Sequence, residues 1–372
     1  MVDRLLLQAA PENTDESMSV FAVSSCRGIS PEGELLLASA RLPASPELDS
    51  RIRLLANKPL DWGRFLSLTG YHAVVPLVHR TLRRVDPMIV PQPFRSRLEG
   101  AMKMHLHRNL FLTASLIQLF QLLRRQGIPV LPYKGPVLAT FVYGHASLRQ
   151  FADLDLIVPP DSFDDALRIL KCEGLEPQLN GQPNVAGELR RKDCCLVRPQ
   201  DLLRVELHWA PVPAHIPLQI PETLLWGEQQ QVEVAGTSFP CPSVDALFLL
   251  LCVHGTRHRW ERLGWICDVA ELIRRHPSKN LDSLHELAAR LGLERAFLLG
   301  LFLAADMLGA PIPRSVLPRL RPVRRLARLV AGQFERPETV VTIPEKLLFT
   351  ARCADSLRSR MIILRHYLRA VS

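Results

Sequence analysis

The sequence predicts an α+β protein: a small mixed-sheet α/β core over residues 128–240, flanked by N- and C-terminal helical regions at 31–127 and 241–372. Apolar residues recur at three- and four-residue spacing on both sides of the core, the period of amphipathic helices. Inside it the period shortens to two, in runs such as "DLDLIV" and "RVELHW", which read as strands. Gly- and Pro-containing breaks separate the two regimes.

The elements follow in order. Residues 1–30 are polar and lack a clear period, and read as a mobile lead-in. "GELLLASARL" (Gly33–Leu42) opens the helical region, and "LDWGRFLSLTGYHAVVPLVHRTL" (Leu60–Leu82) is its clearest part. After the break "VDPMIVPQP", a long amphipathic helix is predicted from Pro93 to Gln126, ended by Gly127. Then "IPVLPYK" (Ile128–Lys134) reads as a strand, "PVLATFVYG" as a short helix and "DLDLIV" as the next strand. "SFDDALRILKCEG" is a helix capped by Asp161 or Ser162 and closed by Gly174. "CCLVRP" and "LLRVELHWAP" form two strands joined at "PQD", and "QVEVAGTSFPCP" a further hairpin. Helical patterning returns beyond Ser243, and no internal repeat is evident.

The chain has 372 residues, 47% hydrophobic and 22% charged, enough for a sizeable core in an ordinary globular protein. Its apolar runs, such as "AFLLGLFLAA" (Ala296–Ala305), fall short of the roughly 20 residues that a membrane span needs. The first residues lack the basic, apolar and cleavage-site pattern of a signal peptide. Eight cysteines form no C-x-x-C pair, which argues against a zinc knuckle or disulfide framework and for a reducing, cytoplasmic setting. Adjacent Cys194 and Cys195 read as small core residues on opposite faces of a strand. The net charge of +9 rests mostly on arginine. It favours anionic partners, whether nucleotide, nucleic acid or acidic protein.

Chemistry concentrates in "DLDLIV". Leu154, Leu156 and Val158 share one strand face, and Asp153 and Asp155 share the other, with Cα atoms roughly 6.5–7 Å apart. Two carboxylates so close repel unless a cation compensates. In "RVELHW", Arg204, Glu206 and His208 share one face, so Glu206 supplies a third carboxylate from another strand. Three carboxylates on adjacent strands are a common way to hold two Mg²⁺ ions.

"YKGPVLATFVYGHASLRQFADLDLIVPP", "VELHW" and "PSVDALFLLLCVHGTRHRWERLGWICDVAELI" together resemble the bacterial nucleotidyltransferases of the polymerase-β superfamily, over roughly residues 33–310. The resemblance implies a polymerase-β-like nucleotidyltransferase core. Asp153, Asp155 and Glu206 would hold two Mg²⁺ ions, or Mn²⁺ in their place, and bind ATP or another nucleoside triphosphate. An acceptor hydroxyl, on a small molecule, protein or RNA, would attack the α-phosphate and expel pyrophosphate. The usual Gly-Ser before the first carboxylates appears here as Lys134-Gly135, which leaves a fold without turnover, acting as a binding or regulatory protein, as the rival reading. Gly135 permits close backbone approach to a phosphate. Lys134 is either a charge for the β- and γ-phosphates or a solvated strand-end lysine. Arg149 is either a phosphate fork or a salt-bridge partner of the same aspartates.

Further along, "HGTRHRW" places His254 and His258 at i, i+4, as zinc ligands, polar cleft residues or contacts to nucleotide or acceptor. His208 joins them among the nucleotide-binding candidates. Asp268, an acid in an apolar helix, is expected to pair with His or Arg of the preceding helix. The basic stretch "PRSVLPRLRPVRRLARLVAGQF" is a solvated helix face or a contact for RNA, acidic protein or membrane surface.

Overall fold

A computed structural model describes residues 28–178, 193–212, 216–336 and 342–371; residues 1–27 of the expected lead-in lie outside them. The N-terminal helical region comprises α1 (Pro31–Ser39), α2 (Pro46–Ala56), α3 (Trp62–Tyr71), α4 (Val75–Val85) and α5 (Gln92–Arg125). Ser30, Ser45 and Asp61 each accept a hydrogen bond from a first-turn amide, of Gly33, Leu48 and Arg64. These bonds satisfy N–H groups that a helix start otherwise leaves orphaned. The run 60–82 folds as two helices, α3 and α4, with Ala73 at φ +56 in the turn between them.

The core continues with β1 (Leu131–Pro132), α6 (Gly135–Tyr143), β2 (Leu154–Ile157), α7 (Phe163–Cys172), β3 (Glu176–Pro177), β4 (Asp193–Arg198) and β5 (Leu203–His208). The sheet order is β1-β2-β5-β4-β3. The expected strand over 128–134 pairs only at Leu131 and Pro132, antiparallel to β2. As a residue without an N–H, Pro132 suits that edge. β4 and β5 are the expected hairpin, in register from Asp193↔His208 to Arg198↔Leu203. β2 and β5 run parallel, so the chain crosses over between them by way of α7. Two-residue β3 had no counterpart in the sequence pattern.

After α8 (Glu222–Trp226), β6 (Gln229–Val234) and β7 (Thr237–Pro242) form the second expected hairpin, a separate two-stranded sheet. The C-terminal helices are α9 (Val244–Arg257), α10 (Leu263–Arg275), α11 (Leu281–Arg290), α12 (Glu294–Leu308), α13 (Arg324–Ala331), α14 (Ile343–Cys353) and α15 (Leu357–Val371). No helix of the described residues is long and apolar enough to cross a membrane.

Leu154, Leu156 and Val158 are buried as expected, and Ile157, on the face of Asp155, is buried as well. β2 is therefore covered on both sides, as parallel strands usually are. One apolar cluster runs from Leu35 to Cys353 through the sheet and both helical regions. Cys194 and Cys195 are half-buried rather than core residues, and no disulfide joins the described cysteines. Their strand lies next to the sheet edge and is only partly covered.

Candidate active site

Strand register assembles the site. Asp155 and Glu206 are direct partners across the parallel pair β2–β5, and His208 follows Glu206 on the same face. One ligand atom from each of Asp155, Glu206 and His208 lies within 4.8 Å of the other two. His208 Nε2 is 3.5 Å from Glu206 Oε2 and 3.8 Å from Asp155 Oδ1, too far for good hydrogen bonds. This buried nitrogen makes no hydrogen bond. An unmatched imidazole nitrogen between two carboxylates suits a divalent cation that all three would ligate.

The sequence grouped Asp153 with Asp155 and Glu206; the tight set takes His208 instead. Asp153 precedes β2, which starts at Leu154, so strand alternation does not hold its side chain to the face of Asp155. It nonetheless feels the cluster. Burial, then the Asp155 and Glu206 charges, push its carboxyl up to about 6.

Lys134 lies across the cluster. Its Nζ donates to Asp155 Oδ1 at 2.8 Å, with the two side chains only 10% and 4% exposed. Burial disfavours both charged forms, but their mutual attraction prevails. It holds the Asp155 carboxyl far below its usual range and the Lys134 ammonium above its own. Burial also works against a charged His208, and again the Asp155 and Glu206 carboxylates outweigh it and raise the imidazole. The ammonium sits 4.8 Å from the Tyr133 ring centroid, a cation–π distance. The same ring meets His208 edge-on at 6.2 Å. Tyr133 carried no signal in the sequence beyond its place directly before Lys134. Gly135 opens α6 at φ +58, where glycine is favoured. A Cβ there would meet Asp153 O at an ordinary 3.7 Å, so conformation rather than space selects glycine.

Helix α5 fixes the loop leading into Asp153. His105 Nε2 bonds the Ser147 carbonyl at 2.9 Å, and Asn109 Nδ2 donates to the carbonyls of Ala146 (2.8 Å) and Arg149 (3.1 Å). Arg108 reaches the carbonyls of Ala152 and Leu202. The Arg149 side chain bonds Asp268 rather than Asp153 or Asp155, though its charge is still felt by both. Nε and Nη2 donate to Asp268 Oδ1 and Oδ2 at 2.8 and 2.9 Å, and Tyr143 Oη donates to Oδ1 at 2.7 Å. Two expectations change. Arg149 is part of a buried joint to α10 rather than a free phosphate fork, and the partners of Asp268 come from before β2 rather than from α9.

The rings of His254 and His258 lie 4.6 Å apart, and both contact Trp265, at 5.1 and 5.3 Å. Burial, then nearby cations including Lys134 and Arg257, lower both imidazoles, His258 to about 3. Among the described residues they join no set of three metal-ligating side chains, so the zinc reading lacks a third ligand. Arg259 and Trp260 adopt φ +57 and +53, which is uncommon outside glycine. That turn sends Trp260 into the core at 2% exposure. A Cβ on Gly255 would meet its ring at 2.5 Å. Part of "HGTRHRW" therefore encodes packing.

A family model described as "Uncharacterised nucleotidyltransferase" matches residues 58–309, more than half of the chain and every residue of the cluster. No curated protein and no solved structure matches the chain.

Proposed function

The chain belongs to this uncharacterised nucleotidyltransferase family, and from that premise we propose a metal-dependent enzyme of the polymerase-β type. It moves a nucleoside monophosphate from a nucleoside triphosphate to an acceptor hydroxyl and releases pyrophosphate. The observation that carries the reading is the in-register pair Asp155–Glu206 with His208 Nε2, which makes no hydrogen bond, within 3.8 Å of both carboxylates.

Asp155, Glu206 and His208 would hold the cation, with Asp153 completing the acidic group. Two carboxylates and an imidazole accept Mg²⁺ through oxygen, and the nitrogen suits Mn²⁺. When bound, the cation neutralises charge on the phosphates during transfer. The chain's own groups do the rest. Glu206, at 36% exposure the accessible member, is the base that takes the acceptor proton as its oxygen bonds to the α-phosphorus. The bond from that phosphorus to the bridging oxygen breaks, and pyrophosphate leaves. Asp155, locked in the sheet, orients the cluster. Lys134 supplies a flexible positive charge for the β- and γ-phosphates, and Gly135 admits them to the start of α6. His254, His258 and Trp265, partly buried, offer neutral rings to the nucleotide. Arg149 acts indirectly, by fixing α10 against the loop before β2.

The test is incubation with each α-labelled triphosphate and Mg²⁺ or Mn²⁺, following label into protein, RNA and small molecules. Metal-dependent transfer of one nucleotide is expected. Triphosphate binding with no transfer to any acceptor class would favour a binding protein of the same fold.

A further inference from the structure

We propose that Lys134 is a tethered cation that fills the metal position until a nucleoside triphosphate draws it away, so that metal and nucleotide enter together. The inference rests on the nucleotidyltransferase reading and concerns how its site is loaded.

The geometry is specific about which oxygen is taken. Asp155 Oδ1 is the atom that faces His208 Nε2 at 3.8 Å, and it is the same atom that accepts from Lys134 Nζ at 2.8 Å. A divalent ion shared by Asp155, Glu206 and His208 would bond that oxygen at roughly 2.0–2.2 Å. Ammonium and dication would then compete for one lone-pair region of a buried carboxylate, where like charges repel strongly. The two occupancies exclude each other.

The side chain has the means to leave. Lysine is a compact charge on a flexible four-carbon stem, and here a second neighbour is the Tyr133 ring face, 4.8 Å from Nζ. A cation–π contact is much weaker than a buried ion pair, so the ring gives the ammonium a path without holding it. What the displaced ammonium needs is another anion in reach. Among the described residues Asp155 is the carboxylate that it bonds, and Glu206 and Asp153 would be engaged by the incoming ion. A triphosphate brings its own anionic oxygens to Gly135, the next residue, and so supplies the missing partner. Without nucleotide, metal entry must strip Lys134 from Asp155 and leave it buried and unpaired, which is strongly unfavourable.

Mn²⁺ binding to wild type and Lys134→Met, followed by electron paramagnetic resonance with and without α,β-methylene nucleoside triphosphates, decides the matter. Wild type alone is expected to bind Mn²⁺ at least tenfold more weakly than Lys134→Met alone. The triphosphate analogue should tighten Mn²⁺ at least tenfold in wild type and much less in the variant. Equal nucleotide-free affinities, with wild type still taking up Mn²⁺ together with the analogue, would overturn the exchange and leave the nucleotidyltransferase reading intact. No Mn²⁺ uptake by either protein under any condition overturns both. Should the methionine variant not fold, Lys134→Gln serves, with melting temperature as a second readout. Mn²⁺ must then raise the variant's melting temperature more than that of wild type, and an equal rise overturns the exchange.

Discussion

Arg149 and Asp268 form a two-point bridge, Nε to Oδ1 at 2.8 Å and Nη2 to Oδ2 at 2.9 Å, between the loop that enters β2 and helix α10. The side chains are 11% and 1% exposed, and Tyr143 adds a third bond to the same carboxylate. The helical lobe is thereby fixed to the loop before Asp153.

Breaking one side of a buried pair leaves an uncompensated charge, so Asp268→Asn is expected to destabilise the fold by about 3 kcal/mol. Replacing both members, as Arg149→Met with Asp268→Leu, should recover much of that loss. Urea denaturation of the two singles and the double gives the coupling directly. If Arg149→Met instead weakened triphosphate binding with no loss of stability, the arginine would be a phosphate ligand after all.

His72 is expected to set an acid limit on stability. Its Nδ1 accepts from the Leu263 amide at 3.0 Å, so Nε2 carries the proton donated to the Phe334 carbonyl at 2.8 Å. Burial, with Arg262 nearby, lowers the imidazole to about 4 despite that carbonyl. Unfolded, it titrates near 6.5. Between those values the unfolded chain binds a proton that the folded chain refuses. The contribution is therefore complete above about pH 6.5 and lost as pH falls toward 4, up to about 3 kcal/mol. Asp153 runs the opposite way, since its raised carboxyl loses stability as pH climbs from 3.8 to about 6. Urea melts of wild type and His72→Gln at pH 7 and 4.5 separate the two, and an unchanged pH slope in the variant would refute the assignment.

What the sequence made legible was whatever alternation or helical spacing encodes. Asp155 and Glu206 stand out because a carboxylate in an apolar period-two run has few structural uses, and the β4–β5 hairpin follows from its turn. What it hid was long-range or conformational. Nothing local pairs Arg149 with Asp268, 119 residues away. That Asp153 stands just before β2 and outside the tight set is not visible in the alternation. His208 shared a face with Glu206 in the pattern, but only the parallel register with β2 shows that its nitrogen meets Asp155. The positive φ of Arg259 and Trp260 had no glycine to announce it.

That last feature predicts that Gly255 cannot be enlarged. A Cβ would stand 2.5 Å from the Trp260 ring, and the ring is boxed in further by Gly300, whose own Cβ would meet it at 3.3 Å. Gly255→Ala should cost about 1–3 kcal/mol through overpacking, even though alanine improves helix propensity. Thermal melts should show the loss, and Trp260→Phe in the same background should reduce it. A neutral or stabilising Gly255→Ala would mean that α9 and α12 separate easily.

Glu206→Gln bears most directly on function. Glutamine keeps the size of the side chain and much of its hydrogen bonding, so the register Asp155↔Glu206 should survive. It removes one negative charge and the only half-exposed acid of the tight set, and an amide cannot take the acceptor's proton. Asp155, His208 and Lys134 remain, and Lys134 can still meet the phosphates. Triphosphate binding should therefore persist while transfer falls by at least about a hundredfold, on the order of 3 kcal/mol in the barrier. Stability should hold or rise, because Asp153 and Asp155 lose a like-charged neighbour. In Glu206→Gln the carboxyl of Asp153 should also titrate lower, since the Glu206 charge is one of the causes that raise it to about 6. Calorimetry with the triphosphate, label transfer over time and a carboxyl titration by NMR read these three effects separately. Undiminished transfer, together with a lowered Asp153 titration, would show that Glu206 shapes the electrostatics of the site without serving as its base.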